Sequence, residues 1–165
     1  MVSNAQSEFT YAFRVRARDR VGNVGVWPAE PQARTTVVLH PIATMSPFNP
    51  NIINASSPVT TSFTLRWTGN TPPGTMITQY QIHLRVRDFS GAIVQNWSVW
   101  QTFDGSVTNV TFPIQLGNGL YDFEATATND KGQTTPFAGK AEATMIVDLN
   151  GTITPKAYMP QVAHR

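Results

Sequence analysis

One alternating pattern of apolar residues occurs twice in this sequence, and it constrains the chain to form β-strands. In residues 121–132 the apolar side chains occupy every second position, and the pattern then stops at a glycine. These apolar residues are Tyr121, Phe123, Ala125 and Ala127. Because successive side chains of a strand point to opposite faces, the spacing predicts a strand with one buried face, followed by a turn.

The second copy of the pattern spans residues 11–22, and Tyr11 precedes Tyr121 by 110 positions. Both copies carry a tyrosine, an aromatic residue, a small apolar residue, an alanine, an acid or amide, and a glycine at the same offsets. A period this long exceeds the repeat unit of a solenoid and matches the length of a small sandwich domain. The sequence therefore predicts tandem β modules.

The composition favours an all-β fold and argues against several classes of protein. Hydrophobic residues make up 41% and charged residues 13%, and no segment has the periodicity of an amphipathic helix. A net charge of +2 is too small to indicate nucleic-acid binding. The absence of cysteine excludes disulfides and thiolate metal sites. No apolar run approaches the ~18 residues that span a bilayer, so we predict no membrane span.

Residues 39–150 are predicted to form one complete domain of seven strands, and residues 151–165 an irregular tail. Each predicted strand shows alternating apolar residues or a short apolar run between turn signals. The strands lie near residues 42–45, 63–67, 80–86, 93–103, 110–116, 121–127 and 140–147. On the strand at 80–86 we expect a packed side and a solvated side that carries His83, Arg85 and, just beyond, Arg87.

Residues 1–38 are predicted to form a hairpin from a partial module. A strand over residues 8–20 is followed by turn residues at 19–23 and by a return strand that reaches residue 38. The predicted inward face carries Phe9 or Tyr11, followed by Phe13, Val15 and Ala17. Two strands make no core by themselves, so either the earlier strands of this module are missing, or the bare face is completed by another molecule or docks on the following domain.

The second domain resembles a fibronectin type III module in three features. Trp67 matches the tryptophan of that family's second strand, Tyr80 the tyrosine of its third strand, and residues 116–121 the corner that leads to a tyrosine in the sixth strand. In that corner the tyrosine hydroxyl bonds the backbone just upstream, and Tyr121 and Tyr11 are expected to do so. Asn118 replaces the usual proline of the corner. Residues 11–27 look especially like bacterial members of the family.

The resemblance implies a seven-stranded antiparallel, immunoglobulin-like β-sandwich that works as a noncatalytic spacer, adhesion or carbohydrate-binding module. It implies an extracellular or cell-surface location, with any export signal on a longer precursor. Expected partners are neighbouring domains of the same polypeptide, a polysaccharide or another surface protein. Two alternatives are a structural subunit that self-associates through residues 1–38, and an accessory domain of a secreted hydrolase.

Catalysis, cofactors and metals are not predicted. The three histidines, His40, His83 and His164, lie in a linker, on an outward strand face and in the tail, and therefore do not converge. The acidic residues are expected in turns and at outward positions. Residues 148–151 have a fragment of a calcium-loop pattern but lack its later ligands, and Asp104 and Asp130 are isolated loop acids.

Two groups of residues are candidates for ligand binding. Trp97, Trp100 and Phe89 offer flat rings for stacking on sugars, although alternation prevents both tryptophans from being buried on one face. The alternative role of these tryptophans is core packing. Arg14, Arg16 and Arg18 form a basic stripe suited to sulfated or uronic polysaccharide, and the alternative is an ordinary solvated face.

Overall fold

The computed structural model describes residues 8–151 and divides the chain after His40 into two compact units. Of the described residues, 8–40 belong to unit 1 and 41–151 to unit 2. The described residues contain ten strands and no helix, which confirms the predicted all-β class. Most of the predicted tail and His164 lie outside the described residues.

Unit 1 contains a two-stranded antiparallel sheet. Strand β1 covers Thr10–Phe13 and pairs with β2, Ala33–Thr36. Farther along the hairpin, Arg18 and Val24 form an isolated bridge. The predicted turn at 19–23 lies beyond this bridge, where the Asp19 carboxylate accepts hydrogen bonds from the backbone N–H groups of Val21 and Asn23.

Unit 2 contains eight strands among its described residues 41–151. Seven coincide with predicted strands, and the additional one, β4, is a three-residue strand that pairs in parallel with β10. The strands are β3 (Ile42–Met45), β4 (Ile52–Asn54), β5 (Ser62–Asn70), β6 (Ile77–Arg87), β7 (Ile93–Asp104), β8 (Asn109–Pro113), β9 (Gly119–Asn129) and β10 (Ala143–Asp148). They form a three-stranded sheet, β3-β5-β8, and a five-stranded sheet, β4-β10-β9-β6-β7.

The apolar faces of these two sheets share one hydrophobic core. The Phe63 ring lies 5.9 Å from that of Phe123 across the sheets, and Trp67 packs edge-on against Tyr80. The alternating apolar residues of β9, Tyr121, Phe123, Ala125 and Ala127, are all buried on this side of the sheet. Burial of large apolar side chains is the main favourable contribution to folding, so unit 2 contains its own stabilising core.

The predicted tyrosine corner is present in unit 2. Tyr121 is fully buried, and its hydroxyl donates a 2.7 Å hydrogen bond to the carbonyl of Gly117, four residues upstream. This bond ties the connection after β8 to the start of β9. The carbonyl at the matching offset from Tyr11 belongs to residue 7, which lies outside the described residues.

The predicted inward face of the unit 1 hairpin is exposed in the described residues. Tyr11 is partly exposed, Phe13 is 39% exposed and Val15 is 69% exposed. Phe9 and Ala17 are exposed as well. The physical reason is that residues 8–40 contain no second sheet to pack on this face.

The prediction of a solvated outward side is wrong for His83 of β6 and for the acidic residues of β9. His83, Asp122 and Glu124 are buried there. A bulge before β10 covers these residues. Thr134 and Ala143 are nine positions apart in the sequence, whereas their pairing partners Thr128 and Phe123 are only five positions apart, so the additional residues bulge out between the two pairs. We call residues 136–141 of this bulge the cover segment, and they lie over the outward side of β9.

The hairpin of unit 1 reproduces the β9–β10 hairpin of unit 2, bond by bond, at an offset of 110 residues. The bridge Arg18↔Val24 corresponds to Thr128↔Thr134, and the pair Phe13↔Ala33 to Phe123↔Ala143. The side-chain bonds at the turn also correspond, because Asn129 Oδ1 accepts from Lys131 and Gln133 as Asp19 Oδ1 accepts from Val21 and Asn23. The two sequence copies therefore have the same local structure.

Candidate functional site

Trp97 belongs to a cluster of side chains on the outward side of the five-stranded sheet. The Arg85 guanidinium carbon lies 4.8 Å from the centroid of the indole, and the Phe137 ring meets that indole edge-on. The indole Nε1 donates a 3.0 Å hydrogen bond to the carbonyl of Gly139. Trp97 therefore holds the cover segment against β7 and is only half-exposed.

A buried carboxylate, Asp122, neutralises part of the positive charge next to Trp97. Arg85 and Arg87 both donate to Asp122, at N–O distances of 2.7–2.9 Å, and the Thr144 hydroxyl donates at 2.8 Å. Burial opposes ionisation of Asp122, but these hydrogen bonds outweigh it, so the pKa of this carboxyl lies below its usual value. Two cations share one anion, and the group has a net positive charge.

A second buried carboxylate, Glu124, anchors the cover segment. Its two oxygens accept hydrogen bonds from the backbone N–H groups of Ala138 and Lys140. His83, which pairs with Glu124 across the strands, stacks on Phe137 with ring centroids 4.4 Å apart. Burial lowers the pKa of His83, and the charge of Glu124 opposes this shift. These titratable groups are engaged in structural contacts.

The structure does not bring Trp97, Trp100 and Phe89 onto one platform. Trp100 faces the core, where its ring lies 4.8 Å from Phe112, whereas Trp97 lies on the opposite face of the sheet. Phe89 is 37% exposed at the turn between β6 and β7. Both tryptophans are half-buried, in keeping with the expectation that they cannot share a buried face.

Arg14, Arg16 and Arg18 are all exposed in unit 1. Among the described residues, 8–151, none of the three forms an ion pair. The Arg16 guanidinium carbon lies 4.6 Å from the centroid of Trp27. The residues 110 positions after these three arginines are Glu124, Thr126 and Thr128, and none of them is basic. The stripe is therefore a solvent-facing cationic surface specific to unit 1.

A cavity of about 350 Å³ lies beside the connection between β3 and β4. Its lining includes the apolar residues Phe48, Phe63 and Met145, and Arg66 is the one charged residue in it. The remaining lining residues are Ser46, Pro47, Asn49, Pro50 and Thr64. The cavity offers apolar contact and one guanidinium, and its lining includes no carboxylate or imidazole for acid–base chemistry.

Within the described part of the chain, no group of three or more histidine or acidic side chains is placed to hold a metal ion. The candidate calcium segment at 148–151 forms a turn, with Asp148 buried and paired with β4. The side chains of Asp88 and Asp104 cap their own turns. No helix suited to crossing a membrane occurs among residues 8–151.

Sequence reasoning missed the roles of Asp122, Glu124 and Phe137. A usable signal existed for Asp122, because it lies on the outward parity of β9, directly opposite Arg85 and diagonal to Arg87 of the neighbouring strand, and opposite charges in such positions attract. No periodic signal marks the cover segment. In comparisons with known proteins, no family model, curated protein or solved structure matches this chain.

Proposed function

We propose that this chain is part of a tandem array of fibronectin type III-like modules and acts outside the cell as a noncatalytic spacer and adhesion element. Unit 2 is the complete module, and unit 1 is the last hairpin of another. The observation that carries the proposal is the duplicated hairpin, whose pairings and side-chain bonds recur at an offset of 110 residues.

The positions of three aromatic residues support the fibronectin type III part of the proposal. When the short β4 is set aside, Trp67 lies in the second strand of unit 2, Tyr80 in the third and Tyr121 in the sixth. These are the positions that the resemblance implies. The hydrogen bond from Tyr121 to Gly117 gives the corner its expected function of fixing the chain between the sheets.

The adhesive role is assigned to the arginine stripe of unit 1. Arg14, Arg16 and Arg18 present three exposed guanidinium groups without ion pairs among the described residues, and such groups bind sulfate and carboxylate in bidentate fashion. Trp97, in contrast, is covered by Arg85 and by the edge of Phe137, and Trp100 contributes to the core. The preferred ligand is therefore an acidic polysaccharide.

A glycan array with the full chain tests this role. We expect binding to sulfated or uronic glycans that weakens with added salt and is lost in the variant R14Q/R16Q/R18Q. The matched control is R34Q, which removes an exposed arginine that pairs with Glu30. Equal binding by the triple variant and the control would rule out the stripe, and loss of binding in W97A and W100A instead would support the aromatic site.

A second candidate function, a self-assembling subunit, is favoured by the exposed apolar residues of unit 1. Phe9, Phe13 and Val15 are all exposed in the described hairpin. Surfaces of this kind promote association. Light scattering on the chain with residues 1–38 deleted tests this candidate, because an oligomeric state equal to that of the full chain would contradict it.

A further inference from the structure

We propose that the cavity beside the β3–β4 connection, together with the adjoining edge of β5, binds a short extended peptide segment of another protein. The recognised segment carries a large apolar residue next to an acidic one. The cavity belongs to unit 2, whereas the arginine stripe with the proposed adhesive role belongs to unit 1. A stretch of strand edge, an apolar cavity and one guanidinium lie side by side at this position.

The first component is the edge of β5 beyond the end of β3. Strand β3 pairs with residues 67–70 of β5, and the hydrogen bond from the Ser46 N–H to the Arg66 carbonyl extends this pairing by one residue. On its other side β5 pairs with β8 through residues 62–66. Within the described range, 8–151, no strand pairs with Thr64 on the β3 side.

The backbone groups of Thr64 point to this open edge. In an antiparallel sheet, the N–H and C=O groups of successive residues point alternately to one neighbouring strand and to the other. The Trp67 N–H donates to the Thr108 carbonyl, so the odd-numbered residues of β5 bond towards β8. The Arg66 carbonyl accepts from Ser46, so the even-numbered residues bond towards β3. Thr64 therefore presents one donor and one acceptor that an added strand can bond.

The path of the chain after β3 keeps this edge open. The chain leaves β5 and crosses to the other sheet, where the carbonyl of Asn51 accepts the N–H of Ile146 in β10. Phe48 would pair with Thr64 if β3 continued in the same register. Its ring instead packs on Phe63, with the centroids 5.4 Å apart. The crossing leaves Thr64 exposed, as part of the cavity lining.

The cavity combines apolar surface with one positive charge. Phe48, Phe63 and Met145 offer apolar contact, and the volume of about 350 Å³ lies in the lower range of ligand pockets. Arg66 is exposed, and its guanidinium forms no ion pair with any residue from 8 to 151. The nearby carboxylate of Glu142 is outside the lining and accepts two backbone N–H groups. A guanidinium in this setting favours a carboxylate on the ligand.

Strand geometry specifies where the two ligand side chains lie. Thr64 and Arg66 are exposed on the outward face of β5, whereas Leu65 is buried on the inward face. In an added strand, the residue opposite Thr64 has its side chain on the same outward face, diagonal to Arg66. An acidic residue fits there. The next residue of the added strand points to the side of Phe63, where a large apolar side chain fits.

NMR titration of the isotope-labelled full chain tests the proposal. The probe is the peptide acetyl-Thr-Glu-Leu-Glu-Leu-Glu-Thr-amide. We expect saturable shifts of the amide resonances of Ser46, Thr64 and Arg66, and hydrogen exchange at the Thr64 amide at least about threefold slower at saturation. R66Q should weaken binding by about threefold, within the usual range for an exposed ion pair. The matched control R34Q removes another exposed arginine and should bind the peptide as the wild type does.

Two N-methylated probes separate strand addition from simple charge attraction. Methylation of the three glutamate nitrogens removes the N–H groups that face β5 and should abolish binding, whereas methylation of the two leucine nitrogens alters groups that face away and should leave binding in place. Equal binding by the two methylated peptides would overturn the proposal, as would the absence of saturable shifts or shifts confined to β7. Equal affinity of R66Q and R34Q would rule out the assigned role of Arg66. Binding of 4-methylpentanoate as tightly as the peptide would show that the strand edge makes no contribution and would overturn the assignment to a peptide.

Discussion

At the scale of single residues, the hydroxyl of Tyr121 makes one identifiable contribution to stability. Its hydrogen bond to Gly117 is short, but the Gly117 residue is exposed, so water replaces the phenol when the hydroxyl is removed. We expect Y121F to lower the free energy of unfolding by about 1 kcal/mol, the usual net value of one such bond. Urea denaturation measures this loss.

The matched control for Y121F is Y80F. Tyr80 is equally buried in the same core, but its hydroxyl makes no hydrogen bond among the described residues 8–151. The same chemical change at Tyr80 should therefore alter the stability by less than about half a kcal/mol. An equal loss of stability in both variants would show that the loss in Y121F comes from altered packing at the edge of the ring and not from the missing hydrogen bond to Gly117.

Asp122 gives the stability of unit 2 a dependence on pH. Because its folded-state pKa is below the unfolded value of about 3.9, its contribution is complete above that value and is lost as the pH falls through the folded pKa. We expect D122N to cost about 2 kcal/mol at pH 7. This cost is smaller than the cost of breaking a fully buried ion pair, because the side chains of Arg85 and Arg87 are 22% and 28% exposed and water screens their charges.

The pH dependence separates this ion pair from packing. From pH 7 to pH 3 the wild-type chain should lose more stability than D122N, so the difference between the two should shrink in urea denaturation at the lower pH. T144V, which removes one hydrogen bond from an uncharged donor to the same carboxylate, should reduce stability by a smaller amount at pH 7. A constant difference between wild type and D122N at both pH values would contradict the assigned cause.

At the scale of elements, two glutamates hold different segments of unit 2. Glu124 accepts the amides of Ala138 and Lys140 in the cover segment, whereas Glu142 accepts those of Met45 and Ala125 between β3 and β9. We expect E124A to raise the hydrogen-exchange rates of the first pair by about tenfold or more and E142A those of the second. Each variant is the control for the other, and identical exchange patterns would contradict local anchoring.

The sequence predicted the strands of unit 2 well, because their inward residues alternate and turn residues separate them. Strand β4 was missed, since three residues carry no period and its pairing with β10 is parallel. The burial of Glu124 and His83 was missed for a different reason. Alternation identifies the two faces of a strand, but it does not show which other segments pack on each face. Here the cover segment, whose sequence has no regular period, packs on the outward face of β9.

The candidate site shows the same limit of sequence reasoning. The opposite orientations of Trp97 and Trp100 follow from their spacing, so alternation was informative about faces. The contacts of Trp97 could not be predicted from the spacing, because Phe137 and Gly139 belong to an irregular segment some 40 positions away in the sequence. The repeat was more informative, since the paired copies carry the same hydrogen bonds in both units.

At the scale of the whole molecule, unit 2 should be as stable alone as it is in the full chain. Its core is closed by its own two sheets, whereas the two described strands of unit 1 bury little apolar surface and form no core. We expect deletion of residues 1–40 to change neither the urea midpoint nor the m-value of the main transition, because the m-value follows the surface exposed on unfolding. F13D in the full chain serves as the control and should also leave both unchanged. A lower m-value for the truncated chain would mean that the hairpin belongs to the cooperative unit, and the division of the chain after His40 would then not describe how it folds.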